Sequence, residues 1–455
     1  MLNSRDFRVL FVIRAVEHFL YFRSIVEALS RRNHKVVVLF DKVWSQKGLN
    51  DDSLIRLKGV TYAWAKRDKT AKWRRVVFYV LDILSLRRYF KIPGTSSFYR
   101  GRWESMMPSP VRLLFKISPT RGFFMSDVFH PVLKFIADFA PVEEMVKGEI
   151  GKFDPDVVIA SPVNLPSSSA DLEYLRVAKK LAVPTVLPVF SWDNLTTKGV
   201  VHVKPDLLLV WNDMQAREAV RYHGIDKKTI RICGSPFFDP WFSYNPMSLN
   251  IDKFSGRMGL SASDPIILYL GSSVDTAGDE TWIVTEIRKA LDRDTGLSKI
   301  QIIVRPHPHN AKIFGKFKLP KVIVIPKDGS YPDTEAARKL YFECLYFSKL
   351  VVGVNTSGMI DAIIQKKPVV SFFDKEHTGT QTEAEHWGYL VKSEAISVAG
   401  SMESFLSLIK LIIRGGDKKA SNRSNFVRRF IRPKGLAVSA GETAVIAVEQ
   451  LVGSR

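Results

Sequence analysis

Short runs of β-branched and aliphatic residues, each followed by apolar residues at helical spacing, recur along the chain and constrain its fold more than any other feature. Arg8-Val-Leu-Phe-Val-Ile13 is continuously apolar from Val9 and reads as a strand buried on both faces. From Phe22 to Arg32, the residues Phe22, Ile25, Val26 and Leu29 fall on one helical face. Asn33-His34 ends that helix, and Lys35 to Phe40 forms a second β-branched strand closed by Asp41. A strand–helix–strand unit of this kind opens a doubly wound parallel sheet.

The rhythm resumes with strands predicted at Val157–Ile159, Thr185–Phe190, Asp206–Trp211 and Thr229–Cys233, separated by helices at Asp171–Leu181 and Asp213–Tyr222. Tyr244 to Asp264 is polar and irregular and reads as a linker. A second series follows, with strands at Ile266–Leu270, Gln301–Val304, Lys321–Ile325, Leu350–Val354 and Val369–Phe373. The expected architecture is α/β: two Rossmann-like doubly wound domains, 1–245 and 246–455, facing a central cleft. Residues 62–147 break the pattern. They are basic, aromatic and helix-like, punctuated by Pro93, Pro108, Pro110, Pro119 and Pro131. Basic and aromatic residues beside apolar helices suit a membrane interface or a lipid-linked acceptor; an insertion packed on the first domain with a solvated basic face is the alternative.

The 455 residues carry a formal charge of +21, which calls for an anionic partner: a phosphate-bearing substrate, an anionic membrane surface or nucleic acid. Zinc-ligand spacing, an RNP-type aromatic motif and a long basic tail are all missing from the sequence, which argues against nucleic acid. Two cysteines, Cys233 and Cys344, sit among apolar neighbours, so buried free thiols and a cytoplasmic setting are expected. The Val9–Ile13 run is too short for a signal segment, and no apolar run reaches the roughly 18 residues of a membrane span. A soluble or peripheral protein is expected, on the inner face of the membrane.

Ligands of open parallel sheets gather at the strand C-termini, and several strand ends here are polar. Gly271-Ser272-Ser273 combines close backbone approach with two hydroxyl donors, although Gly-Ser is also ordinary turn chemistry. In Arg305-Pro306-His307-Pro308-His309, Arg305 can fork onto phosphate oxygens and the prolines stiffen the loop that aims His307. A protonated His307 could neutralise a leaving phosphate, and a neutral one could donate a single hydrogen bond. Asn355-Thr356-Ser357-Gly358 runs into a helix, offering hydroxyls and backbone N–H groups to an anion, or simply a helix cap. Asp361, one turn in, could hold a ribose or sugar hydroxyl or act as a first-turn acid.

Ser191 to Gly199 is an unusually polar loop, with Asp193, Asn194, Thr196 and Lys198 expected to face the cleft. Glu17-His18 follows the first strand. His18, by its ordinary pKa, suits the base that inverting group transfer requires, with Glu17 as the alternative base and a chemically idle helix start as the other reading. Thr378 to Glu383, with Gln381, could close a donor pocket. No metal-ligand motif occurs, and Asp154-Pro155-Asp156 and Asp292-Arg293-Asp294 are poorly placed for a metal. No cofactor is expected. Arg305, Lys198 and His307 could do a metal's electrostatic work. The lack of a P-loop or Gly-x-Gly-x-x-Gly argues against ATPase and dehydrogenase chemistry.

With these residues in place, the chain resembles GT-B glycosyltransferase-like proteins of bacterial surface-polysaccharide synthesis over most of its length, least across 62–147. Arg31-Arg32-Asn33-His34-Lys35-Val36 is similar to the arginine-glycine-histidine-x-valine ending of that fold's first helix, with Asn33 where glycine is common. The Arg-Pro-His-Pro and Asn-Thr-Ser-Gly segments are similar to donor motifs of CDP-glycerol glycerophosphotransferases and of capsule transferases using CMP-linked sugars. The resemblance implies that His307, Thr356 and Ser357 contact the donor's nucleotide and phosphates, and that a catalytic acid or base lies near His18. It implies a glycosyltransferase moving a sugar from a nucleotide-activated donor to a surface-glycan or lipid-linked acceptor. A CDP-alcohol phosphotransferase on the same fold is the nearest alternative, and a non-catalytic nucleotide- or nucleic-acid-binding protein is another.

Overall fold

The computed structural model describes residues 6–68, 72–93, 95–165, 169–373, 381 and 383–454. The chain divides into two compact units: residues 1–239 with 430–455, and residues 240–429. The boundary expected at 245/246 therefore moves to 239/240, and the last segment, expected in the second domain, returns to the first.

Among the described residues, the first unit has seven strands: β1 (Arg8–Ile13), β2 (Lys35–Phe40), β3 (Val60–Trp64), β4 (Val157–Ser161), β5 (Thr185–Pro188), β6 (Leu207–Val210) and β7 (Ile230–Ile232). Their order is β3-β2-β1-β4-β5-β6-β7, and every pairing is parallel. The second unit has six: β8 (Ile266–Leu270), β9 (Gln301–Arg305), β10 (Val322–Val324), β11 (Leu350–Gly353), β12 (Val369–Phe372) and β13 (Ser397–Ala399), ordered β10-β9-β8-β11-β12-β13. These too are all parallel. Each sheet reverses its winding once, between β1 and β4 and between β8 and β11, which is where such folds leave a crevice for ligands. The expected pair of doubly wound α/β units is what forms.

Residues 62–147 were expected to be helix-like, with breaks at the prolines. Tyr62 to Trp64 instead complete β3, which pairs with β2 at the sheet edge. The helices Lys72–Lys91, Ser97–Met106, Ser109–Lys116, Ser118–Met125, His130–Phe139 and Glu144–Phe153 follow. The helices divide where the prolines fall: Pro110, Pro119 and Pro131 each stand in the first turn of a new helix, because a missing N–H costs nothing where no intrahelical acceptor exists. Val77, Leu81 and Leu84 share one core with Leu10, Val12, Leu39 and Val158, so the insertion's first helix packs on one face of the sheet.

The other face is covered by the helices Phe19–Arg31 and Ala440–Gly453, whose Phe22, Ile25, Ala444, Val445 and Val448 are buried together. Glu442 and Glu449 hold this pair, accepting from Arg31, Arg32 and His34. Asn33, where the resembled motif carries glycine, has φ +63°, a left-handed turn that asparagine tolerates better than most side chains. The expected linker 244–264 contains the helix Ile251–Met258, capped by the Asn250 side chain and ended by Gly259 at φ +69°. Its buried Phe254 anchors an otherwise polar two-turn helix, which is why composition hid it.

Candidate nucleotide site and the strand ends of each unit

In the second unit, the loops after β8, β9 and β11 come together at the winding reversal. Gly271 N–H donates to the Arg305 carbonyl over 2.9 Å. A side chain at Gly271 would begin 3.2 Å from the His307 nitrogen, so the first two loops need glycine to lie this close. The Asn355 N–H donates to Ser272 Oγ over 3.3 Å, tying in the third loop.

The predicted donor residues divide into an inner frame and an outward set. Ser272 was expected to offer its hydroxyl to a phosphate, but it is fully buried. Its N–H donates to Glu280 over 2.6 Å and its hydroxyl to the same carboxyl over 3.1 Å. Tyr269 OH adds a third donor at 3.1 Å. Glu280, which sequence reasoning passed over, is thus the centre of the frame. Burial pushes its carboxyl up from 4.5 to about 7, against these three hydrogen bonds. Asn310 extends the frame by donating to the Ser272 carbonyl over 3.3 Å.

Arg305 is likewise buried. Its guanidinium lies 4.5 Å over the Tyr341 ring and donates to the Ser330 carbonyl over 3.4 Å. Tyr341 OH donates to Asp361 over 3.0 Å. Asp361, expected to reach a sugar hydroxyl, is buried. Burial raises it from 3.8 to about 7, opposed by Tyr341, Trp241 and Arg305. Gln381 is also interior, its amide donating to the Val354 and Phe372 carbonyls over 3.0 and 3.1 Å. The rest of the expected pocket-closing loop, Thr378 to Thr380 and Thr382, lies outside the described residues.

His307, Ser273 and Thr356 are half-buried and Ser357 is exposed; they form the outward set. His307 Nδ1 accepts from the His309 N–H over 3.2 Å. That acceptor role leaves Nε2 to carry the proton in the neutral ring. The anion site expected at the helix start is altered. The helix Gly358–Ile364 has only seven residues, and its first N–H groups are taken by Thr356 and Ser357. Gly358 donates to Thr356 Oγ1 over 3.4 Å, and Met359 and Ile360 donate to the Thr356 and Ser357 carbonyls. What this loop offers a ligand is hydroxyls rather than a helix dipole.

In the first unit, Glu17 and His18 follow β1 as expected. Glu17 Oε1 accepts from the N–H groups of Gln46 and Lys47, each over 2.7 Å, so it braces the loop after β2 rather than standing ready as a base. The His18 ring packs edge-on against Phe190, centroids 4.7 Å apart. Burial, followed by the charge of Arg14, pushes its pKa down to about 3. The expected titration near neutrality therefore does not hold: His18 is a neutral imidazole whose Nδ1 makes no hydrogen bond.

The expected cleft loop is largely self-satisfied. Asp193 accepts from Ser191 Oγ and Thr197 Oγ1 over 2.5 and 2.7 Å, with the Lys198 ammonium 3.6 Å away. Asn194 is buried and donates to Asn164 over 2.9 Å, and Thr196 Oγ1 donates back to the Asp193 carbonyl. Asn164, just beyond β4, locks the loop by donating to the carbonyls of Asn194 and Gly199. A deeper polar group lies at the same strand ends. Arg67 grips Asp41 over 2.7 and 2.9 Å, and Arg14, stacked 4.0 Å over Trp44, feels Asp171 and Asp41 as its nearest opposite charges. Both cysteines are buried free thiols, as expected.

No protein-family model and no curated protein matches the chain. Solved structures do. A UDP-GlcNAc 2-epimerase from Methanocaldococcus jannaschii is 13% identical with a TM-score of 0.55, covering 97% of this chain and 99% of its own. A structure of the Methanocaldococcus jannaschii UDP-GlcNAc 2-epimerase in complex with UDP-GlcNAc and UDP gives a TM-score of 0.53 at 13% identity, with coverage of 97% and 99%. A glycosyltransferase from Rickettsia africae is 10% identical with a TM-score of 0.54, covering 99% of this chain and all of its own. The end-to-end match, with two parallel doubly wound sheets, shows that this chain has the two-domain α/β GT-B fold.

Proposed function

We propose that this chain is a GT-B glycosyltransferase, its second unit binding a nucleotide-activated donor and its first serving a surface-glycan or lipid-linked acceptor. The convergence of Gly271–Ser273, Arg305–His307 and Asn355–Ser357 at the winding reversal of the second sheet carries this reading. An imidazole N–H and hydroxyls on a rigid frame suit the phosphates and ribose of a nucleotide. The UDP and UDP-GlcNAc in the related epimerase structure support a uridine nucleotide as the first donor class to try. His18 is the candidate base. Its low pKa, set by burial and by Arg14, means that an anion bound nearby must raise it before it can take an acceptor's proton.

The acceptor side rests on the helices from Ser109 to Phe139. With the turn between the last two, they expose Leu113 (63%), Val128 (83%), Phe135 (61%) and Phe139 (69%), interleaved with Arg112, Lys116, Arg121 and Lys134. Such a face suits peripheral docking on an anionic bilayer, at the cytoplasmic leaflet. Among the described residues no helix is long and apolar enough to cross a membrane.

A thermal-shift screen against UDP, GDP, CDP, CMP and dTDP, with their sugar or glycerol conjugates, tests the donor reading. A selective rise with one nucleotide is expected, and no rise with any would sink it. The near-complete mutual coverage with the epimerase favours one second reading, a nucleotide-sugar epimerase. Product analysis separates the readings. Transfer releases nucleotide only when acceptor is present, whereas epimerisation inverts a sugar carbon with the nucleotide still attached. Donor phosphate in the product would mark a phosphoalcohol transferase.

A further inference from the structure

A cavity of about 580 Å³ opens in the first unit, away from the strand ends discussed above. It is bounded by the C-terminal end of the helix Ala170–Lys180, which leads into β5, by Val200 to Lys204, which lead into β6, and by His223 and Gly224, which lead into β7. All three lie at the N-terminal edge of the parallel sheet, opposite the edge where Glu17, His18 and Asp193 emerge. Its walls are completed by the helices Lys72–Lys91 and His130–Phe139.

Its charge is one-sided. Arg88, Lys134, Arg176, Lys179, Lys180 and Lys204 line it, and among the described lining residues Asp138 is the sole carboxylate. His202 and His223, also in the wall, are pushed down to about 3, chiefly by burial, and stay neutral. Lys134, Arg176 and Lys179 pair with Asp138, Glu173 and Asp206. Arg88, Lys180 and Lys204 have no carboxylate partner among the described residues; Arg88 and Lys180 donate to carbonyls at helix ends, and Lys204 donates to the carbonyls of Val201, in a loop, and His223. Two partial helix charges of about half a unit each, at the ends of Asp213–His223 and His130–Phe139, do not balance this set. Burial first, and then the charges of Arg88 and Lys134, push Lys204 down to about 8.

We infer that this cavity binds a phosphate-bearing polyanion, either the headgroup of an anionic lipid or a soluble diphosphate. The volume lies within the usual range of small-molecule sites, about 300–1,000 Å³. The helix His130–Phe139 gives reason to weight the lipid source. His130, Lys134, Ala137 and Asp138 line the cavity, while Val132, Phe135 and Phe139 on the same helix are exposed. One helix thus carries a headgroup-binding side and an apolar side. Occupancy here is independent of the nucleotide reading, since none of the lining residues belongs to the second unit.

The test measures binding of inorganic pyrophosphate by calorimetry with the second-unit site saturated by UDP, and flotation with vesicles of phosphatidylglycerol against neutral phosphatidylcholine. The full chain is compared with Lys180→Glu/Lys204→Glu and with the milder Lys180→Gln/Lys204→Gln, should the first fold poorly. Saturable pyrophosphate binding in the presence of UDP, weakened about tenfold or more in either variant, supports a soluble diphosphate site. Flotation that needs phosphatidylglycerol and is lost in the variants, without pyrophosphate binding, supports the lipid source. Binding of neither probe, binding abolished by UDP, or binding indifferent to the variants overturns the site.

Discussion

Glu280 and Asp361 are carboxyl groups in the interior of the second unit, each raised to about 7 by burial. A folded-state pKa above the unfolded value means the native state holds the proton more tightly. Their contribution is therefore fully present below about 4 and is lost as pH rises through about 7. Urea midpoints measured at pH 5 and pH 8 should fall with rising pH by more in the wild type than in Glu280→Gln or Asp361→Asn; equal slopes would refute the assignment. Glu280→Ala leaves three donors without their acceptor and should cost about 2–4 kcal/mol. His307→Ala, by contrast, removes a half-buried ring that faces outward. Transfer should drop by about tenfold or more with an unchanged melting temperature, and full turnover would remove His307 from the site. The sequence makes these strand ends conspicuous because ligands of open parallel sheets gather where the apolar strands end. It does not say which way each side chain turns. Ser272 and Asp361 look as available as Ser357 until the packing of Tyr269, Tyr341 and Trp241 is known. Glu280 hides as an ordinary acid at a helix start.

At the level of elements, the buried central strands are the legible ones, since their continuous apolar runs have one physical explanation in a parallel sheet. Of the edge strands, β7 and β10 stand where strands are expected and β3 and β13 do not. β3 is only half-buried and β13 is partly exposed, so neither shows a continuous buried run. The helix Ala440–Gly453 is apolar enough to notice, but nothing in its own composition says which sheet it covers. Its closeness to Phe19–Arg31 depends on Gly441, where a side chain would collide with the Ser24 backbone. Gly441→Ala should therefore destabilise the first unit by about 1–3 kcal/mol, read as a lowered transition in calorimetry, and an unshifted transition would mean that the helices do not meet there.

For the whole molecule, the positive charge that opened the functional argument is now localised. Part lies around the apolar helices of the insertion and part in the cavity beside them. Docking on anionic vesicles should weaken as salt rises, and Phe135→Ser/Phe139→Ser should reduce it by about tenfold or more with little change in stability, because both rings are exposed. Vesicle binding indifferent to both would leave the exposed face without that role. The return of residues 430–455 to the first unit has a consequence of another kind. Along the sequence the second unit interrupts the first, so during synthesis the second is complete while the first still lacks the helix Ala440–Gly453. The first unit must wait with the apolar side of Phe19–Arg31 uncovered, and it is this half of the protein that should depend on chaperones as the chain emerges.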